Sequence, residues 1–203
     1  MSELTLAFVQ AALNAPVSAQ ADVATRIITD SRQAGAGDVF VALVGEQFDG
    51  HDYVADVLAK GVAAVIVSRE VVAGDARQIV VADTLAALGQ IAQAWRLKWN
   101  PKIVALTGSN GKTTVKEMCA AILRTALGED AVLATAGNFN NEIGMPLTLL
   151  RLQAAHKVAV LEMGMNHFGE LARLTQIAQP DVALVNNASR AHIGNDFNGV
   201  ADI

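Results

Sequence analysis

An apolar run, Lys102–Leu106, leads directly into Thr107-Gly108-Ser109-Asn110-Gly111-Lys112-Thr113-Thr114 and then into a helical pattern that reaches Leu127. A strand that turns on glycines into a helix commits this stretch to a parallel α/β arrangement, because the helix has to carry the chain back over the sheet before the next strand. The remaining sequence repeats the alternation. Strands are predicted at Ala131–Thr135, Lys157–Met163 and Asp181–Asn186, with helices near Asn141–Leu152 and Gly169–Ala178. All-apolar strands of this kind belong to a parallel sheet covered on both faces. The helix from Lys112 is expected to bury Val115, Met118, Cys119, Ile122 and Leu123, with Lys116, Glu117 and Arg124 elsewhere. Ligands of such sheets gather at the C-terminal ends of the strands.

Residues 1 to 99 read as a separate, small α/β unit. Val39–Val44, Val62–Val67 and Gln78–Ala82 are strand-like, and Tyr53, Val54, Val57 and Leu58 recur at helical spacing before a Lys60-Gly61 stop. Asp83 or Thr84 caps a helix expected to bury Leu85, Leu88, Ile91, Trp95 and Trp99, and Asn100-Pro101 ends it. The expected domains are therefore 1–99 and 100–203, the second a P-loop domain with a partial parallel sheet.

Composition narrows the function classes. Lys and Arg number 15 against 20 Asp and Glu, for a formal charge of −5, and no basic stripe interleaved with aromatics is present, so general nucleic-acid binding is disfavoured. No apolar block approaches the ~20 residues of a spanning helix, and the first residues do not form a secretory signal, so the expectation is a cytoplasmic protein without membrane insertion. The single cysteine, Cys119, forms no internal disulfide and fits a buried helix face. An anionic ligand must then be held by local devices such as helix N-termini and single cations.

The Thr107–Thr114 loop is such a device. Gly108 and Gly111 permit a tight turn that brings N–H groups, those of Ser109 and Asn110 included, towards phosphate oxygens. Lys112 supplies a point charge, Thr113 a hydroxyl placed for Mg²⁺, and Thr114 continues the first turn. A lysine in a first turn opposes the helix dipole, so an ordinary turn would carry an uncompensated charge. Glu162 closes an apolar strand at the same sheet edge, where it either reaches a nucleotide's Mg²⁺ or escapes to solvent. His192 follows the next strand and is a candidate for metal or phosphate. Asn138, Asn140 and Asn141, three asparagines in four positions, exceed what capping alone requires and suit a polar ligand. In the first unit, Asp30-Ser31-Arg32 and Phe48-Asp49-Gly50-His51 flank the strand Val39–Val44, and taken alone they read as solvated turns.

Together these blocks resemble the Mur ligase family of ATP-dependent amide-bond-forming enzymes. The phosphate loop, Gly137–Pro146, Leu161–Glu170 and the two first-unit blocks occur in order over nearly the whole chain. They are most similar to the branch that joins D-alanyl-D-alanine to UDP-N-acetylmuramoyl-tripeptide in peptidoglycan precursor synthesis. The resemblance implies that Ser31, Arg32 and Phe48, Asp49, Gly50 and His51 lie near the UDP end of the muramoyl-tripeptide. It implies that Gly108, Ser109, Asn110, Gly111, Lys112, Thr113 and Thr114 hold ATP, and that Thr113 and Glu162 hold Mg²⁺ with His192 at a second ion. Lys112, Glu162 and His192 would carry the catalytic roles, and Asn138, Asn140 and Asn141 would line the place where substrate carboxylate and γ-phosphate meet. A substrate carboxylate would attack ATP to give an acyl phosphate, which the amine of D-alanyl-D-alanine then displaces.

The resemblance also implies longer relatives with a third domain and a carbamylated lysine soon after the histidine, whereas no lysine follows Lys157 here. The expectation is an amino-terminal fragment that does not ligate alone. The alternative is a non-catalytic module for nucleotides or UDP-sugars. A kinase or switch ATPase is disfavoured by Leu106, where a Walker loop has glycine, and by a glutamate in place of an aspartate at Glu162.

Overall fold

The computed structural model describes residues 4–16 and 25–189. The chain divides into two compact units, Met1–Ile91 and Ala92–Ile203. The division falls inside a helix, eight residues before the Asn100-Pro101 stop that ends the 1–99 reading.

The first unit is built on four parallel strands, β1 (Ile27–Ile28), β2 (Val39–Val41), β3 (Ala64–Val67) and β4 (Gln78–Val80), in the order β1-β2-β3-β4. Phe40, Val65 and Val67 pack with Val54, Val57 and Leu58 of α2 (Val54–Ala59) on one face. Val39, Val41 and Ile66, of opposite parity, are also fully buried, so both faces are covered. Right-handed crossovers between sequential neighbours place their connections on one face, so the other needs its own cover. α1 (Leu6–Ala12) and the start of α3 (Thr84–Trp99) contribute further buried apolar side chains, among them Leu6, Val9, Leu88 and Ile91. Asp83 caps α3 by accepting from the N–H groups of Leu85 and Ala86, and the Thr84 hydroxyl donates to Ala42 O at 2.9 Å. β2 is shorter than predicted because Leu43 and Val44 leave the ladder. Leu43 O accepts from Gly50 N, and Val44 bridges to Asp49, which starts the turn 45–49.

In the second unit, β5 (Lys102–Thr107), β6 (Val132–Ala134), β7 (Val158–Glu162) and β8 (Val182–Val185) are all parallel, in the order β6-β7-β5-β8. α4 (Lys112–Leu127) links β5 to β6, while α5 (Gly144–Leu149) and α6 (Glu170–Ala178) precede moves in the opposite direction across the sheet and pack against each other. Right-handed crossovers then put α4 on one face and α5 and α6 on the other. Arg96, buried near the end of α3, donates to Ala178 O and Gln179 O and so caps α6.

Two expectations are corrected here. Lys116 is fully buried, whereas Met118 and Ile122 are 60% and 66% exposed. The face of α4 that meets Leu106, Val132, Val158 and Val160 includes Ala120, Cys119 and Leu123, and Lys116 lies within it. The buried face is thus shifted by less than one residue step, under ~100°, from the apolar stripe: Val115, Cys119 and Leu123 still pack on the core, while Lys116 and Ala120 take the places expected for Met118 and Ile122. The sheet is also not covered throughout: Val182, Leu184 and Val185 on the outer strand β8 are exposed among the described residues. No helix among the described residues is long and apolar enough to cross a membrane.

β7 lies between β6 and β5, and every residue in it is buried. Leu161→Ala is expected to cost about 2–5 kcal/mol through lost transfer energy and a residual cavity, read as a lower urea midpoint with an unchanged m-value.

Candidate functional site

β5 delivers Thr107 to the C-terminal edge of the sheet, and 108–111 turn the chain into α4. Gly111 sits at φ 74°, in the left-handed region that a side chain would strain, and its N-cap position aligns the first-turn amides of α4. The Lys112 ammonium folds back on the loop, donating to Gly108 O at 2.6 Å. The loop is also stitched to the segment after β8. Ser109 N donates to Asn187 O at 3.1 Å and Asn110 N to Asn187 Oδ1 at 3.0 Å. Asn186 and Asn187 donate from their amides to Asn110 O, and the Ser109 hydroxyl exchanges hydrogen bonds with the Ser189 backbone. Thr114 is exposed in the first turn of α4. A cavity of about 80 Å³ beside the loop has Lys112 and Gly108 on one side and the apolar Met165, Leu171 and Val185 on another.

Glu162 ends β7, the strand next to β5, and is only 2% exposed. It does not escape to solvent. The Thr113 hydroxyl donates to Glu162 Oε2 at 2.9 Å, and the Asn140 amide donates to Oε1 at 2.8 Å. The Glu162 N–H donates to the Thr135 hydroxyl at 3.0 Å. Asn140 reaches this position because Gly164 lies against it: a Cβ there would meet Asn140 Cγ at 3.1 Å, and Gly164 N donates to Asn140 O. A carboxylate and a threonine hydroxyl, converging beside a helix N-terminus, are the hard oxygen donors that suit Mg²⁺.

The three asparagines separate in role. Asn140 joins the Glu162 cluster, whereas Asn141 Oδ1 accepts from Ile143 N and Gly144 N, capping the entry to α5. Asn138 is exposed on the loop. His192 lies outside the described residues. Sequence reading did not single out Thr135 or Asn187. The available signal for Thr135 was a hydroxyl residue closing an apolar strand at the same edge as Glu162.

In the first unit, a cavity of about 440 Å³ is lined by Asp30, Ser31, Arg32, Phe40, Phe48, Gly50 and Tyr53 among others. Its size and mixed lining suit a small organic ligand. Arg32 is extended at the surface and forms a bidentate pair with Asp30, which it holds well below the usual carboxylate range. His51 does not line this cavity with its ring. The ring is 1% exposed, with Nε2 accepting from Ser68 N at 2.9 Å, so the proton sits on Nδ1 and faces Asp49 Oδ1 at 2.6 Å. Asp49 also accepts from Arg69 and is not among the lining residues either. His51 and Asp49 therefore brace the turn that carries Phe48 and Gly50.

Two family profiles match the chain. One, described as the Mur ligase middle domain, covers residues 106–202, and the other, described as the Mur ligase family catalytic domain, covers residues 24–96. The UDP-N-acetylmuramoyl-tripeptide–D-alanyl-D-alanine ligase of Haemophilus influenzae is 49% identical over 169 residues, 83% of this chain and 37% of the relative. That of Escherichia coli is 43% identical over 193 residues, 95% of this chain and 42% of the relative. Among solved structures, MurF from Acinetobacter baumannii superposes with a TM-score of 0.88 at 41% identity, over 99% of this chain and 44% of its own. MurF ligase from Thermotoga maritima in complex with ADP gives 0.77 at 37% identity, over 83% of this chain and 39% of its own. The chain thus spans roughly two fifths of the length of these relatives.

The bracing of the Phe48 turn has a testable pH signature. Arg69, then the His51 N–H, hold Asp49 below the usual carboxylate range. A depressed carboxylate stabilises the fold above its unfolded pKa, ~3.9, and that contribution fades as pH falls through the lower folded value. Asp49→Asn is expected to lower stability at pH 7 by about 1 kcal/mol, discounted for solvent screening. In urea titrations the difference from wild type should shrink as the pH is taken below 3.9.

Proposed function

Because the chain belongs to the Mur ligase family, we propose that it forms the UDP-muramoyl-peptide-binding and ATP-binding parts of a D-alanyl-D-alanine-adding ligase of peptidoglycan precursor synthesis. The observation that carries this reading is the convergence of Thr113 and Asn140 on the buried Glu162 carboxylate at the phosphate loop. Two kinds of relative support it: sequence relatives are named for UDP-N-acetylmuramoyl-tripeptide and D-alanyl-D-alanine, and a structural neighbour is in complex with ADP.

In this proposal the first-unit cavity takes the UDP end of the muramoyl-tripeptide, with Ser31, Arg32 and Phe48 at its walls. The amides at the start of α4 face the phosphates of ATP, and Lys112 exchanges its loop carbonyls for phosphate oxygens. Thr113 and Glu162 would hold Mg²⁺, with His192 as a further candidate ligand. When bound, the ion neutralises charge on the transferring phosphoryl group. Asn140 orients the Glu162 carboxylate. The muramoyl-peptide carboxylate attacks the γ-phosphorus and ADP leaves. The amine of D-alanyl-D-alanine then attacks the acyl carbon, losing a proton and displacing phosphate. Dependence on ATP and UDP-linked substrates would fit a reaction in the cytoplasm.

The test is release of phosphate from ATP by the protein carrying these residues, dependent on both UDP-N-acetylmuramoyl-tripeptide and D-alanyl-D-alanine. Lys112→Ala is expected to lower kcat/KM by about 10²–10³-fold, the scale of losing one charge-stabilising donor. Retained binding of the UDP-linked ligand with no substrate-dependent phosphate release would support a non-catalytic binding module instead.

A further inference from the structure

Lys116 is an ammonium group with no exposure at all, one turn into α4 from the phosphate loop. Withdrawing an ammonium from water costs several kcal/mol unless partners compensate. The position lies on the face of α4 that meets the sheet, where an apolar side chain would incur no such cost. Its partners are Thr135 O, which accepts from Nζ at 2.7 Å, and Glu117 Oε1 at 2.8 Å. The ammonium in turn holds the Glu117 carboxyl below its ordinary value.

The bond to Thr135 O changes how the sheet ends. In a parallel ladder a residue that donates its N–H to one neighbour accepts at its C=O from the N–H two residues further along that neighbour. Thr135 N donates to Val160 O, so the regular rung would run from Glu162 N to Thr135 O. Instead Glu162 N donates to the Thr135 hydroxyl at 3.0 Å, and the carbonyl is turned to Lys116. The rung displaced belongs to Glu162, whose carboxylate meets Thr113 and Asn140. Thr135 also begins the loop that carries Asn140. One buried cation therefore sets both the backbone of the carboxylate and the root of its amide partner.

We propose that Lys116 is a positioning residue for the metal end of the phosphate site, acting through Thr135 on Glu162. The inference rests on the functional reading above, since it presupposes that Glu162 holds a divalent cation with a bound nucleotide. Lys116 touches neither ligand. It diverts the Thr135 carbonyl, just past the end of β6, so that the hydroxyl rung, not the regular one, places the Glu162 carboxylate.

The experiment is calorimetric titration of ADP into the full chain at a series of Mg²⁺ concentrations and without Mg²⁺, for wild type, Lys116→Met, Thr135→Val, Thr135→Ser and Glu162→Gln. Lys116→Met should raise the Mg²⁺ concentration for half-maximal enhancement by ~10-fold or more, the scale on which residues behind metal ligands act. Its magnesium-free ADP affinity should stay within about twofold of wild type, which a general loss of structure would not allow. Thr135→Val should shift the Mg²⁺ dependence in the same direction, and Thr135→Ser, which keeps the hydroxyl, should restore it. Unchanged Mg²⁺ dependence in Lys116→Met, or an equal fall in both affinities, overturns the inference while leaving the functional reading intact if Glu162→Gln abolishes the enhancement. Should Lys116→Met fail to fold by circular dichroism, Thr135→Val decides, and wild-type behaviour there overturns the inference. Wild type showing no Mg²⁺-dependent ADP binding removes the functional reading and this inference with it.

Discussion

A carboxylate buried at the end of a central strand is the constraint around which the second unit is arranged. Glu162 is 2% exposed, and a charge so placed is strongly destabilising unless it is hydrogen-bonded on every side that water has left. Its oxygens are met by Thr113 from α4 and Asn140 from the loop after β6, and its N–H by Thr135. Each partner depends on a further local condition. Thr113 is presented because Gly111 adopts the left-handed conformation that starts α4, and Asn140 because Gly164 leaves room for it. The separate sequence blocks are thus conditions on a single hydrogen-bonded cluster. That explains why glycines, asparagines and a threonine recur at this edge of the sheet.

The legibility of the fold follows the strength of local signals. α4 runs from Lys112 to Leu127 as read, because a glycine turn before it and Gly128 after it mark both ends. β5 and β7 are apolar runs long enough to be distinguished from turns, and they are found within a residue of their predicted ends. β1 is two residues long and exists through its pairing with β2, so periodicity has nothing to register. α1, seven residues with Thr5 as its cap, is likewise too short for a clear pattern. Val115, Cys119 and Leu123 of α4 meet the core as their pattern predicts, whereas Met118 and Ile122 are exposed although apolar by type, because the surroundings that bury a helix face are tertiary.

The candidate site was legible to a different degree. Positions at strand ends, such as Glu162, follow from topology once the sheet is known to be parallel. What a side chain does there depends on neighbours that arrive from distant sequence. Asn140 and Asn141 are adjacent and chemically identical, yet one binds a carboxylate and the other caps a helix. His51 lies in a block that resemblance assigns to ligand contact, but both its ring nitrogens are engaged inside the first unit. Residue type identifies the hydrogen-bonding capacity available. Only the backbone around it determines where that capacity is used.

Three buried basic side chains share a physical role that connects these observations. Lys116 binds Thr135 O where β6 leaves the ladder, His51 binds Ser68 N just past β3, and Arg96 binds the carbonyls that end α6. Each bond is to a backbone group at the end of an element, where regular pairing stops and an unpaired group would be costly in a buried setting. Ends of strands are also where functional loops depart in parallel sheets. A side chain that satisfies the last backbone group therefore selects the direction in which the loop leaves. Apolar packing has no comparable directionality, since burial energy depends on area rather than angle. Buried basic groups contribute little net stability, but their hydrogen bonds fix orientation. The geometry of the loops is set by these few contacts, beneath the residues that face a ligand.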